Sequence, residues 1–394
     1  MNKKININLK TILEYIAVIL ILLTSNLVFY YQGLSPSVAI FLYFAFSLYF
    51  CLKHHLHNQY KKISFLYIIG LVILVLLSFL YHPHLNDNQI FGVLLQAVSS
   101  ALIISNFNYN RFKIIILNVV CILGFISLFL YILYIIGFIT PYVNGNFTMY
   151  GPLVLGWDGY SFGRLAGFYH EPGAYQIILN TVLILYINEI TQWFKLSRKT
   201  KFKLIIVLIS LFLTKSTAGY ITVIIIAFSC FYKKIFSKYF IPIIGVLIFF
   251  TYIIWNSDVV QRKLFPEPGD VSISLEQRTL DNLGMMKMIS EEPILGYGLG
   301  SVDYKKRAFE LGNYSDSNGI LFMGASLGVF WFLLYFYFMF FSIKKMQINA
   351  SIILIMFAYG LLQCNERFVE FPISYIFLFP FGSYRNINFK LIKK

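Results

Sequence analysis

Side chains that could carry out acid–base or anion chemistry occur in only a few places along a strongly apolar chain. One group precedes residue 172, a second lies in the long polar segment 256–317, and a third follows residue 364; the candidates are Arg164, His170, Glu171, Arg278, Asp316, Glu366 and Arg367. A guanidinium binds the oxygens of a diphosphate bidentately and stays charged. A carboxylate or an imidazole can take the proton of an attacking hydroxyl. These residue types predict transfer of a group from a diphosphate to a hydroxyl.

A short polar turn supplies a further candidate anion site. Lys215 lies between two apolar runs, and Ser216 or Thr217 after it can cap the helix that follows. A capped helix N-terminus beside a lysine attracts anions. An equally good interpretation is a plain turn whose lysine extends along the membrane surface.

The stretch from Thr140 to Tyr169 is rich in glycine, asparagine and aromatic residues, including Trp157, Asp158 and Tyr169. Aromatic rings that stack on sugars, beside carboxylates that bond hydroxyls, are typical of glycan binding. An interfacial aromatic belt explains the same composition. Glu171 before Pro172 could likewise be a helix-capping charge rather than a catalytic group.

The same inventory argues against several other classes of site. No Asp-x-Asp or His-Glu-x-x-His motif is present, and the four cysteines are isolated, so we expect no metal and no cofactor. The glycines near residue 298 lack the strand and the Gly-Lys-Ser/Thr of a phosphate-binding loop. The net charge of +15 is carried mainly by short loops between apolar runs, where it is a topology signal, so nucleic acid is not an expected partner.

The composition, 58% hydrophobic and 12% charged, predicts an all-α polytopic membrane protein. Apolar runs predict about twelve spans, judged against the roughly 20 residues of one crossing; they lie near 11–31, 34–52, 64–81, 90–105, 113–139, 173–190, 203–214, 217–232, 239–255, 318–342, 347–363 and 371–384. Most of the 32 basic residues then fall on one side. By the positive-inside rule both termini are cytoplasmic, and the candidate site residues face outward.

We therefore expect one membrane domain, 1–394, with two external loops. The first, 140–172, ends with Glu171 and Pro172. The second, 256–317, lies between spans nine and ten. In it Ser274 to Ile289 has the pattern of an amphipathic helix on the membrane surface, which Pro293 stops, and Gly296, Gly298 and Gly300 predict a tight turn.

Several of these pieces together resemble the O-antigen polymerase (Wzy) and O-antigen ligase superfamily. The matching pieces are Arg164-x-x-Gly-x-x-x-Glu171-Pro, the turn after Leu213, Arg278 followed by Glu-Pro-Ile-Leu-Gly-Tyr-Gly-Leu-Gly, and Ser-Asp316-Ser-Asn318. The resemblance implies a metal-independent, inverting glycosyltransferase of the GT-C type in the bacterial cytoplasmic (inner) membrane. Its donor and acceptor would be undecaprenyl-diphosphate-linked glycans. Membrane lipids, a flippase and a chain-length regulator are implied partners.

By that resemblance Arg164 and Arg278, with Lys215, would bind the diphosphate. Glu171, His170 or Asp316 would serve as base. Trp157, Asp158, Tyr169, Asn318, Glu366 and Arg367 are candidate glycan-binding residues. Ligases of the superfamily usually carry a histidine where this chain has Asp316, which favours a polymerase. The alternatives are ligase-type glycan transfer and a lipid-linked oligosaccharide flippase or transporter.

Overall fold

Helices make up most of the chain in the computed structural model, which describes residues 8–25, 35–54, 61–82, 87–144, 147–150, 153–157, 164–231, 273–313 and 316–384, with the single residues 245, 252, 256 and 261. The helices are α1 (Leu9–Leu23), α2 (Pro36–Lys53), α3 (Lys61–Tyr81), α4 (Asp87–Ile104), α5 (Tyr109–Ile135), α6 (Pro172–Leu185), α7 (Ile187–Ile190), α8 (Arg198–Leu213), α9 (Thr217–Phe231), α10 (Ile273–Glu291), α11 (Val302–Glu310), α12 (Gly319–Lys345) and α13 (Ile352–Asn365). Two short 3₁₀ helices cover Trp193–Lys195 and Pro372–Phe377.

Four of these helices are long and apolar enough to cross a membrane: α2, α3, α5 and α12. Shorter apolar helices occupy Gln89–Ile104, Pro172–Leu185, Thr217–Cys230 and Ile352–Cys364. These counts refer only to the residues that the structure describes. The predicted helical membrane protein is confirmed at this level.

Helix α6 forms the centre of the bundle. Every residue from Pro172 to Leu185 is buried, and α5, α8, α9 and α13 pack around it. A helix that is apolar on all sides is stable only when other helices or lipid cover it. Because Glu171 immediately precedes α6, the central helix presents this carboxylate at one end of the bundle.

Predicted and observed spans differ at several ends. Helix α8 begins at Arg198, five residues before the predicted start, because Ser197 accepts a capping hydrogen bond from the Thr200 N–H. The predicted span 371–384 is wrong as a spanning helix: a 3₁₀ helix ends at Phe377, and Pro380 prevents helical continuation. Of the predicted span 239–255, only residues 245 and 252 are described.

The segment predicted as loop 140–172 contains a small antiparallel sheet, which the predicted all-α fold did not include. Its strands are β1 (Tyr142–Asn144), β2 (Phe147–Tyr150) and β3 (Leu153–Trp157), paired in that order. The Tyr150 ring stacks on Tyr134 of α5, with centroids 5.3 Å apart. Short β-propensity runs rich in aromatics read as loop in the sequence because three to five residues carry little periodicity.

The segment predicted as loop 256–317 contains the predicted helix α10 and also α11, which the sequence did not reveal. Met285 and Met288 of α10 are buried against the bundle, whereas Leu280, Leu283 and Met286 are exposed. The three glycines after Pro293 all have positive φ, as the predicted turn requires.

The turn packs into a break in α12. At Gly328 the backbone leaves helical geometry, with φ 73° and ψ −170°. The N–H groups of Tyr297 and Gly298 donate to the carbonyls of Ala325 and Ser326, both at 2.9 Å, and the Val329 N–H donates to the Pro293 carbonyl at 2.8 Å. The turn after Pro293 thereby pairs the backbone groups that the break in α12 leaves without helical partners. In an apolar environment such groups must be hydrogen-bonded within the protein.

Candidate functional site

Four charged side chains from three distant segments meet at the N-terminal end of α6. Arg164 precedes α6, Glu171 is its N-cap residue, Arg278 lies on α10, and Glu366 follows α13. Nη2 of Arg278 lies 2.9 Å from Oε1 of Glu366, and Arg164 interacts electrostatically with the other three. With His170, these residues are called the Glu171 cluster below.

Arg164 is held by the turn between α8 and α9. The Leu165 N–H donates to the Leu213 carbonyl at 2.8 Å, and Nε of Arg164 donates to the Thr214 carbonyl at 3.0 Å. No hydrogen bond from its two terminal nitrogens is formed with the described residues. The guanidinium is therefore anchored at one nitrogen while two remain available for an anion.

The same turn carries Lys215. Its backbone has φ +48°, and its ammonium forms no ion pair with any residue whose placement is described. Ser216 accepts a hydrogen bond from the Gly219 N–H at 3.4 Å, so Ser216 is the capping residue of α9. A helix N-terminus, Lys215 and the anchored Arg164 therefore belong to one structural unit, an arrangement that suits a phosphate.

Glu171 does not cap its helix. Its carboxylate makes no hydrogen bond to the first N–H groups of α6, which removes the capping interpretation. Instead, Oε1 of Glu171 lies 3.0 Å from Nε2 of His170, and the Glu171 carboxylate interacts electrostatically with the carboxyl group of Glu366. The first turn of α6 thus directs Glu171 toward the end of α13.

The two carboxyl groups have opposite pKa shifts. For Glu366, desolvation and then the negative charge of Glu171 raise the pKa well above its ordinary value, although Arg278 opposes this. For Glu171, desolvation alone would raise the pKa, but the neighbouring His170 and Arg278 outweigh it, so the pKa is lowered. The negative charge of Glu171 therefore disfavours ionisation of Glu366.

Asp316 lies in a second, adjoining network with Arg367. Its Oδ1 accepts from the Tyr304 hydroxyl at 2.6 Å and from Nδ2 of Asn313 at 3.0 Å. Its Oδ2 lies 3.2 Å from Nη1 of Arg367, whose guanidinium also binds Glu370 at 2.9 Å. Both carboxylate oxygens of the predicted base are thus occupied. The network adjoins the Glu171 cluster in the sequence, because Arg367 directly follows Glu366.

The remaining predicted residues have other surroundings. Tyr169 is buried and its ring stacks on Tyr175 at 5.7 Å. Asn318 caps α12 through the Leu321 N–H and donates to Asn282 at 3.1 Å. Trp157 belongs to β3 by its backbone, and Asp158 lies outside the described residues.

Sequence reasoning missed the partners that complete the second network, Tyr304, Asn313 and Glu370, and it also missed Asn282, the partner of Asn318. Common polar residues and a tyrosine at unremarkable spacing give no signal before the fold brings them together. Among the described residues, no three His, Cys, Asp or Glu side chains are grouped to hold a metal ion.

Comparison of the chain with family models, with curated proteins and with solved structures gave no match.

Proposed function

We propose that this protein polymerises undecaprenyl-diphosphate-linked oligosaccharide repeat units at the outer leaflet of the bacterial cytoplasmic membrane. The observation that carries the proposal is the convergence of two arginines and a carboxyl pair at one end of a buried helix. Arg164 and Arg278 are more than a hundred residues apart in the sequence. In the fold, Arg164 interacts electrostatically with Glu171 and Glu366, and Arg278 pairs with Glu366. Isolated surface charges would have no reason to be collected there.

In the proposed reaction, the growing glycan on its lipid diphosphate is the donor and a hydroxyl of a fresh lipid-linked repeat unit is the acceptor. The acceptor oxygen attacks the anomeric carbon, its proton passes to a base in the Glu171 cluster, and the bond to the diphosphate breaks. Arg164, Arg278 and Lys215 stabilise the negative charge that develops on the leaving diphosphate. Holding both lipid anchors at one membrane level supplies orientation.

The membrane arrangement that goes with this proposal has about twelve spans of the GT-C type, cytoplasmic termini and an outward-facing site. Basic residues at the ends of α2 and α12, Lys53, Lys344 and Lys345, support it. The exposed apolar side chains of α10, Leu280, Leu283 and Met286, support a position of this helix at the membrane surface.

The test is reconstitution of the purified protein with one lipid-linked repeat unit and without nucleotide or metal. A ladder of multiples on a gel is the expected product. Arg164→Ala and Arg278→Ala should each reduce chain growth by about 10²–10³-fold, the usual cost of removing one preorganised donor to a developing anion.

The matched control is Arg307→Ala, also an external arginine in an ion pair. Nε of Arg307 lies 2.8 Å from Glu291 on α10, outside the Glu171 cluster, so chain growth should persist. Normal ladders from both cluster variants would refute the proposed role of the arginines. Transfer of the glycan to a different acceptor, or its passage intact across the bilayer, would replace the polymerase with a ligase or a transporter.

A further inference from the structure

We propose that the segment leading into α8 binds an anionic phospholipid, with the phosphodiester on three cations and an acyl chain along the helix. The binding face comprises four exposed residues and is called the α8 entry surface below: Phe194, Lys195, Arg198 and Lys199. It lies at the opposite end of α8 from Leu213, whose carbonyl accepts the hydrogen bond from Leu165 beside Arg164. The lipid site is therefore separate from the Glu171 cluster and does not depend on the proposed function.

The charge of this surface is of one sign. Residues 190–205 contain five basic side chains and no acidic one. Two of the five are engaged within the protein: Lys203 donates to Oδ1 of Asn118, and Lys201 donates to the Phe194 carbonyl at 3.4 Å. The other three are exposed and form no ion pair with the described part of the chain: Lys195, Arg198 and Lys199. Like charges this close repel one another, so the surface favours an anion.

Phe194 presents an aromatic ring beside these cations. Its exposed fraction is 94%, although it lies in the 3₁₀ helix Trp193–Lys195 and its neighbours Trp193 and Leu196 both pack against the core of the bundle. The 3₁₀ turn therefore holds the backbone on the bundle while the Phe194 ring is directed outward. In the interfacial region of a bilayer such a ring exchanges contact with water for contact with acyl chains.

An apolar stripe continues from the α8 entry surface along the helix. Phe202, Ile205 and Ile209 are exposed, and their spacing of three and four residues places them on one face of α8. From Phe202 to Ile209 the stripe is about 10 Å long, and it lies almost wholly on the predicted span 203–214. A soluble protein partner reaches the cations and Phe194 but not side chains at the depth of the hydrocarbon. A phospholipid reaches both, because its headgroup and acyl chain are joined.

The headgroup that fits is one with net negative charge. Phosphatidylcholine carries its own cation beside the phosphodiester, whereas phosphatidylglycerol carries the phosphodiester alone. Each lysine or arginine near an anionic lipid surface strengthens the attraction by about fivefold. Three such cations therefore predict a preference for phosphatidylglycerol over phosphatidylcholine of up to about 100-fold at this surface.

Native mass spectrometry of the detergent-solubilised full-length protein measures this preference by counting bound lipids after equal amounts of the two are added. The wild-type protein should retain phosphatidylglycerol in preference to phosphatidylcholine. The preference should fall by at least about tenfold when the three cations are replaced together by Lys195→Gln, Arg198→Gln and Lys199→Gln. The matched control removes the same charge from exposed lysines of α10 and α11, and it should keep the wild-type preference: Lys287→Gln, Lys305→Gln and Lys306→Gln.

A second variant tests the aromatic contact. Phe194→Ser should reduce the retention of phosphatidylglycerol by about tenfold, the lower end of the value for burying a phenylalanine side chain. Phe138→Ser is the control, because Phe138 is also strongly exposed, at 81%, but has no basic residue between positions 130 and 142. All of these positions are on the surface, so the variants should unfold at the wild-type temperature.

The results that would overturn the site are distinct. Equal retention of the two lipids by the wild-type protein, or an unchanged preference after loss of the three cations, would remove it. Displacement of phosphatidylglycerol by inorganic phosphate, but not by chloride at equal ionic strength, would show a site for free anions and would also overturn the lipid. No glycan enters these measurements, so a protein that forms no polymer would overturn the proposed function and leave this lipid site standing.

Discussion

Substituting Gly328 by alanine should uncouple the turn after Pro293 from helix α12. Gly328 breaks α12 with φ 73° and ψ −170°, a region that side-chain-bearing residues enter only under strain. A Cβ at this position would overlap the carbonyl oxygen of Ile294. Backbone on both sides is fixed, so no flexible side chain can move aside to relieve the overlap.

The cost follows from two contributions. The backbone conformation alone costs about 1–3 kcal/mol for a residue other than glycine. Displacing the turn also breaks the bonds from Tyr297, Gly298 and Val329, each with a net value of about 1 kcal/mol. We expect a total destabilisation of about 4–6 kcal/mol.

Gly360→Ala is the matched control. Gly360 lies inside α13, and a Cβ there would find only the side-chain tip of Ile320 at 4.0 Å. The substitution should be neutral or should stabilise by up to about 1 kcal/mol, the helix-propensity difference between the two residues.

The assay is thermal unfolding of both purified variants in one detergent, with limited proteolysis of the loop at a temperature where the bundle is intact. Gly328→Ala should unfold at a lower temperature than the wild type and be cleaved faster between α10 and α11. Equal unfolding temperatures for Gly328→Ala and Gly360→Ala would refute the role assigned to the turn.

Three further predictions concern charges outside the Glu171 cluster. Glu14→Gln should destabilise the fold by up to about 3 kcal/mol, measured by thermal unfolding, because the buried Glu14 side chain is the partner of Arg111 at 3.1 Å. Hydrogen bonds from Arg307 and Tyr297 lower the pKa of Glu291 to about 2 from 4.5. The ionised Glu291 side chain therefore stabilises the fold fully above pH 4.5, and this stabilisation is lost as the pH falls to about 2. The stability difference between wild type and Glu291→Gln should vanish over that pH interval. In a protein without its native cysteines, Lys306→Cys should react in whole cells with a membrane-impermeant thiol reagent and Lys199→Cys should not.

These predictions have distinct refutations. Wild-type stability in Glu14→Gln would show that this ion pair contributes nothing net. A stability difference for Glu291→Gln that persists at the acid end would remove the assigned pKa. Labelling at both engineered cysteines, or only at the one at position 199 in the first turn of α8, would invalidate the proposed topology and place the site on the wrong side for lipid-linked donors.

Local features were predictable wherever one residue type imposes one geometry. Pro293 and the glycines after it predicted the end of α10 and the turn, because proline cannot continue a helix and glycine alone adopts positive φ readily. The helical runs were predictable from apolar length. The ends of the helices were less predictable. Helix α8 starts earlier than predicted because of one serine cap. The predicted span 371–384 is not a spanning helix because of Pro380, a single residue whose effect is hidden when hydropathy is averaged over an apolar window.

The site itself was predictable as a list of residues but not as a set of contacts. The sequence put Arg164, Glu171 and Arg278 among the candidates because ionisable groups at a membrane boundary are costly to retain. The resemblance made Asp316 a candidate base, whereas in the structure its carboxylate accepts a hydrogen bond from Tyr304 and pairs with Arg367. Nothing local distinguishes a carboxylate that faces a cleft from one that faces an arginine, because the difference lies in how helices far apart along the chain pack.

By itself, the sequence determined that this chain is a helical membrane protein with its acid–base groups gathered in a few polar segments. Composition suffices for that, because a bilayer selects apolar length and expels charge residue by residue. Only the tertiary structure paired Arg278 with Glu366, 88 positions away, and brought Glu171 to the same carboxyl. Hydrogen bonds and charge interactions act over a few ångströms, so they depend on which helix ends meet, and that is a property of the packed bundle as a whole.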